Sequence, residues 1–168
     1  VDREETYLLD ANVFIEAARR YYAFDIAPPF WKALSEFAEK GKLISIDRVK
    51  NELLRGKDEL SKWAKGSFFE WFKSTDDDFI LTSYRRVIEW AENHSQFTQE
   101  AKKEFYDAEN ADAWLVAYAL SNRNIIVTHE VYKPDVKKEI PIPNICRDFR
   151  IEYIDTFEML RRLNFKFK

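Results

Sequence analysis

The chain has 168 residues, 46% hydrophobic and 34% charged, which is enough for one domain with a sizeable core. That balance excludes a disordered polymer, and no apolar run approaches the ~18 residues that a membrane helix requires. A formal charge of −3 gives no global attraction to nucleic acid, so any such contact must come from a local basic patch.

In chain order, Val1-Asp2-Arg3-Glu4-Glu5 lacks the apolar stretch of a signal peptide, and its missing Met points to a processed or trimmed start. Residues 7–9, Tyr-Leu-Leu, read as a short strand, and 12–21 as a helix apolar on one face. Pro29 opens a helix through Glu39, with Gly41 as its stop. Residues 43–46 form a second strand. Asp47 caps a helix through Leu54, with Gly56 after it. From about Asp58 to Asp107 the signals are helical only, at 58–64, 83–93 and 98–107, so this region reads as a helical insertion. A helix over 110–121 precedes a third strand at 125–128. A loop broken by Pro134 and Pro141 follows, and a fourth strand at 152–154 leads into a helix over 156–163. Strands that alternate with helices imply right-handed crossovers and a parallel sheet. The expectation is one α/β domain over 1–168, with a short parallel sheet of four or five strands flanked by helices.

In open parallel sheets, sites form beyond the carboxyl ends of the strands. Asp10 follows the first strand. Glu52 comes one helical turn after the second. Thr128, His129 and Glu130 follow the third. Asp112 opens the helix that runs back to the third strand, so it starts at the same edge. Taken singly, each acid has an ordinary role. Asp10 would cap the helix at Ala11, Asp112 would complement a helix dipole, and Glu52 would pair with Arg48 or Arg55. Asn110 already supplies a cap for the helix that Asp112 opens. Gathered at one rim, the carboxylates repel one another, and a divalent cation removes that cost. Oxygen donors without thiolates select a hard ion, Mg²⁺ or Mn²⁺, and such a site supports hydrolysis of a phosphodiester. The lone Cys146 excludes an internal disulfide and a thiolate-rich zinc centre, and makes the cytoplasm the expected compartment.

The motifs resemble those of the PIN-domain ribonucleases. Leu8-Leu9-Asp10-Ala11-Asn12-Val13-Phe14-Ile15 is similar to that family's opening motif, an apolar strand ending in Asp with Thr, Ser or Asn two residues on. Val49-Lys50-Asn51-Glu52-Leu53 resembles the second motif, which carries the Glu. Asn110-Ala111-Asp112-Ala113-Trp114 resembles the third, an Asp opening an alanine-rich helix. Val127-Thr128-His129-Glu130 resembles the fourth, usually Thr-x-Asp, with Glu130 one methylene longer than the Asp. Asp107 and Glu109, just before the third motif, are candidates to substitute or assist. The segments Ile142-Pro143-Asn144-Ile145-Cys146 and Asp155-Thr156-Phe157-Glu158-Met159-Leu160 resemble one subfamily, long catalogued as a domain of unknown function and similar to VapC-like type II toxins. The resemblance implies a PIN-like three-layer sandwich and a Mg²⁺- or Mn²⁺-dependent endoribonuclease. Asp10, Glu52, Asp112 and Glu130 would be its metal ligands and catalytic residues. It also implies an antitoxin partner and a homodimer. Asn12 and Thr128 would hydrogen-bond metal-bound water or a carboxylate, and His129 is structural.

Arg48, Lys50, Arg55 and Lys57 surround Glu52, four basic residues to one acid, and suit an RNA backbone; Lys133, with Lys137 and Lys138, follows Glu130. Trp63 to Phe72 is dense in aromatics and reads first as core, then as a groove for a partner's apolar helix. Two other functions compete. One is an aspartyl-nucleophile phosphatase, which needs a second Asp where Asn12 stands. The other is a metal-free PIN-fold module that binds RNA or protein without catalysis, for which Glu130 is the main support.

Overall fold

A computed structural model describes residues 4–167. Val1, Asp2 and Arg3, part of the start read above as leader-free, lie outside the described residues. Tyr7–Leu9 (β1) is buried along its whole length and occupies the centre of a five-stranded parallel sheet. It pairs with Leu43–Ile46 (β2) on one side and Ile125–Val127 (β4) on the other, with Leu8 opposite Ile44 and Ile126. These strands are apolar without alternation, with Ser45 as the one exception, because a parallel sheet covered on both faces offers no solvent side for polar residues. Tyr153–Ile154 (β5) closes the edge beside β4. The fold is α/β, with helices flanking the sheet.

The fifth strand corrects the expectation of helix alone over 58–107. Phe72–Lys73 (β3) pairs in parallel with β2, Ser45 opposite Phe72 and Ile46 opposite Lys73, giving the order β3-β2-β1-β4-β5. Two residues are too few to display a period, which is why the strand does not register as one. The rest of that region is helical: Glu59–Gly66 (α4), Asp78–Glu92 (α5) and Gln99–Phe105 (α6). The start of α5 lies five residues before the expected one, because Asp77 Oδ1 caps it, accepting from the amides of Phe79 (2.9 Å) and Ile80 (3.3 Å).

A second correction concerns the proline-broken loop. Its end is a helix, Ile142–Phe149 (α8). Pro141 is its N-cap and Pro143 lies in its first turn, where a missing N–H breaks no helical bond. The remaining helices are Ala11–Glu16 (α1), Pro28–Glu39 (α2), Asp47–Arg55 (α3), Asp112–Asn122 (α7) and Thr156–Arg162 (α9). A wider π-helical turn, Ala17–Tyr21, continues α1 and closes with the Tyr22 amide on the Ala17 carbonyl at 2.8 Å.

The aromatic segment packs mainly as core. Phe14 of α1 meets Trp63, Phe68 and Phe72 at ring separations of 5.9, 5.6 and 6.1 Å. This cluster holds α1, and with it the residue that opens α1, against the sheet. Phe69 alone among these phenylalanines points outward, with Lys50 Nζ 4.8 Å from its ring centroid. Among the described residues no helix is long and apolar enough to cross a membrane.

Candidate active site

All five strands end at one edge, and Asp10 follows β1 there. Leu8 and Leu9 are fully buried, so the chain delivers the next residue to the sheet edge under cover, and Asp10 is only 3% exposed. Its amide donates to the Val127 carbonyl at 3.0 Å, fixing the end of β1 to the end of β4. Ser45 Oγ, buried in β2, donates to the Leu9 carbonyl at 2.7 Å and steadies the residue before it. The Thr128 hydroxyl donates to Asp10 Oδ2 at 2.9 Å and accepts from the Glu130 amide at 3.1 Å. One threonine thereby joins the acid after β1 to the turn after β4. Asp10 stands at the N-cap of α1 but makes no side-chain capping bond.

Asp112 opens α7, half-buried. Asn110 Oδ1 accepts from the Asp112 amide at 2.9 Å, so the capping work falls to Asn110 and not to the Asp112 carboxylate. Glu52, on α3, is exposed. Neither neighbouring arginine turns to it. Arg48 donates to the Ala108 carbonyl at 2.8 Å and stacks 4.1 Å over Trp114, while Arg55 pairs with Glu109 at 3.2 Å.

Asp10, Asp112 and Glu130 are all raised at this edge. Burial pushes the Asp10 carboxyl up to about 6; the Thr128 hydroxyl and the Ala11 and Asn12 amides pull it down, and Glu52 adds to the rise. Burial, then the charges of Asp10, Glu130 and Glu52, raises Asp112 well above the usual carboxylate range. Glu130 is pushed up to about 7, by burial first and then by Asp10. Lys133 lowers it only weakly and is itself paired with Glu139. Burial and neighbouring carboxylates at this edge thus outweigh the cationic contribution of Lys133. The donor chemistry fits a hard divalent ion: carboxylate oxygens, with the single cysteine, Cys146, a buried thiol whose pKa burial pushes up to about 12. The spacing is open. Among the described residues no three His, Cys, Asp or Glu side chains form a group able to hold a metal ion as they stand.

The remaining candidates fall into separate places. Arg48 and Arg55 line one cleft of about 230 Å³ together with Asn51 and Glu109. Lys50 is drawn to Phe69, and Lys57 and Asn12 are exposed. Glu109 is engaged by Arg55, and Asp107 accepts from the Glu109 amide at 2.9 Å. His129 packs 6.0 Å from Tyr21 and 6.2 Å from Phe157, hydrogen-bonds Thr156 at 3.0 Å, and burial lowers its pKa. Its surroundings are those of a packing residue. Asn144, given no role of its own above, clasps the backbone of Lys133, accepting from its amide at 3.0 Å and donating to its carbonyl at 2.8 Å. It holds the loop after Glu130 in place. Its signal was hidden because it belongs to α8.

A family model described as a domain of unknown function (DUF4411) matches residues 7–167. No curated protein matches the sequence. Among solved structures, VapBC2 from Rickettsia felis, bound to a DNA fragment from its promoter, aligns with a TM-score of 0.54 at 13% identity, covering 89% of this chain and 98% of that one. VapBC-1 from nontypeable Haemophilus influenzae aligns with a TM-score of 0.49 at 17% identity, covering 89% and 97%. The likeness to the Rickettsia felis structure is one of fold, the PIN-like α/β arrangement of a parallel sheet between helices.

Proposed function

The chain belongs to the DUF4411 family, a domain of unknown function, and we propose that it is a divalent-metal-dependent endoribonuclease of the PIN type. The observation that carries this reading is the gathering of Asp10, Asp112 and Glu130, acids from three separate segments, at one sheet edge, where burial first and then neighbouring carboxylates (Glu52 on Asp10, Asp10 on Glu130, and both Asp10 and Glu130 on Asp112) raise all three. Folded proteins seldom concentrate carboxylates in this way unless a cation relieves them. Asp10, Glu52, Asp112 and Glu130 would hold Mg²⁺ or Mn²⁺. When bound, such an ion lowers the pKa of a water and stabilises charge on a phosphodiester.

The chain's own residues supply position. Thr128 donates to Asp10 Oδ2, and with the amides of Ala11 and Asn12 it favours the charged carboxylate. Its bond to the Glu130 amide couples the placement of the fourth acid to that of the first. Arg48, Arg55, Lys50, Lys57 and Lys133 are the candidates for phosphate contacts, Arg48 and Arg55 from the walls of one cleft. The motif resemblance and the VapBC-like fold support a further step: a cytoplasmic toxin of a type II pair, with an antitoxin partner and a homodimeric state. A metal-free binding module is the second reading, favoured by the longer Glu130 and the open spacing of the acids.

Cleavage of labelled RNA in Mn²⁺ separates the two. The enzyme reading predicts that the intact protein cuts, and that Asp10→Asn and Asp112→Asn lose about 100-fold or more while staying folded, the scale on which losing one charge-stabilising group acts. Binding of RNA in chelator with no cleavage in Mn²⁺ would leave the module.

A further inference from the structure

The amino edge of the sheet, opposite the acidic rim, carries a cavity of about 410 Å³ with an unusual lining. It lies where α7 and α8 both end, beside the starts of β4 and β5. Each helix stops on an arginine in the left-handed conformation, Arg123 at φ 56° and Arg150 at φ 58°. Glycine is the ordinary residue at such a position, since any side chain there is strained. Here both positions hold guanidinium groups instead, and both border the same cavity. Both arginines are exposed.

The ion pairs among the described residues engage neither arginine. The acid on the cavity wall, Glu152, is tied to Arg162 and so does not neutralise them. Part of their charge offsets the carbonyl ends of α7 and α8. Arg86 lies 5.7 Å from the ring centroid of Phe149, which also lines the cavity, and Arg86 too has no ion-pair partner among the described residues. Asn124 completes the lining. It is 9% exposed, and its side-chain oxygen is buried with no hydrogen-bond partner among the described residues. An orphaned buried amide oxygen is rare in a folded protein and calls for a partner. Cationic forks, an aromatic face and an amide in a pocket of ligand size form a set that reads phosphate, base plane and base edge.

We propose that this cavity is a second site, one that binds a nucleoside monophosphate group: phosphate on Arg123 and Arg150, base against Phe149, and base edge toward Asn124. The group has two sources, a free mononucleotide or the phosphorylated end of an RNA strand. The helix α7 spans from Asp112 to Arg123, about 16 Å at 1.5 Å per residue, so the site is separate from the acidic rim and does not depend on the nuclease reading.

Calorimetric titration in EDTA tests it, because chelator removes any phosphate binding that a metal at the acidic rim would give. The probes are AMP, GMP, CMP, UMP, inorganic phosphate, and an RNA hexamer with and without a 5′-phosphate. The decisive variant is Arg123→Gly with Arg150→Gly, which removes both guanidiniums and relieves both left-handed residues, so its Tm should hold or rise. At least one monophosphate or the phosphorylated hexamer should bind the intact protein, and Kd should rise about tenfold or more in the double variant. Phe149→Leu should weaken the nucleotide and leave inorganic phosphate unchanged. Binding of the mononucleotide identifies the free source, and binding of the phosphorylated hexamer alone identifies the strand end. The proposal is overturned if none of these probes binds, or if the double variant, folded by its Tm, binds as tightly as the intact protein.

Discussion

Thr128 and Asp10 are 118 positions apart in sequence and 2.9 Å apart in space. A hydroxyl that donates to an ionised carboxylate is worth ~1.5–3 kcal/mol, and less once the carboxyl is protonated. Thr128→Val should therefore destabilise the metal-free protein by about that amount at pH 8 and by clearly less at pH 5; equal losses in urea melts at the two pH values would contradict the role given to this bond. The acids themselves set a wider pH dependence. Asp10 and Glu130 have folded-state pKa values, about 6 and about 7, above their ordinary ones. The neutral forms are favoured in the fold. The stability they contribute is fully present below about pH 4 and is lost as pH rises through 6 to 7. The metal-free protein should thus melt lower at pH 8 than at pH 5, by a difference on the order of a few kcal/mol; a flat profile over that range would deny the strain. At this scale Asp10 was legible, because an acid between two apolar runs is conspicuous. The partner that holds it was one threonine among many, and no spacing in the chain measures a distance across the sheet.

At the scale of elements, legibility followed length and punctuation. Strands β1, β2 and β4 show as apolar runs between polar stretches, and α2 opens on proline; Asp47, expected to cap α3, instead lies in its first turn with its carboxylate accepting from the Thr75 amide and hydroxyl, both at 2.9 Å. β3 escapes because two residues carry no period. α8 escapes because prolines usually announce a loop, and here they occupy the cap and first turn. The start of α5 is blurred by Asp76, Asp77 and Asp78 in a row, of which Asp77 provides the cap. Asp77→Ala should cost ~1 kcal/mol, the ordinary value of an N-cap, or about 2–4 °C in Tm for a chain of this size. Asp76→Ala, which removes no cap, should leave Tm nearly unchanged. Equal shifts in the two variants would move the cap elsewhere.

For the whole molecule, parallel pairing is the decisive fact. Every strand ends at the same edge, so acids far apart in sequence arrive at one place, while the other edge collects the helix ends that carry Arg123 and Arg150. The convergence could be argued from topology alone. How far apart the carboxylates stand could not, because it depends on helix tilt and side-chain direction, and the structure leaves them open rather than closed around an ion. The central claim is that a hard divalent cation draws these acids together. Its most direct measurement is the Tm at pH 8 with and without Mn²⁺, for the intact protein and for Asp10→Asn and Asp112→Asn. Binding at 100 times Kd adds ~2.7 kcal/mol to the native state, so the intact protein should melt several degrees higher with Mn²⁺, and both variants should lose the shift. An intact protein whose melt ignores Mn²⁺, or variants that keep the full shift, would contradict the account.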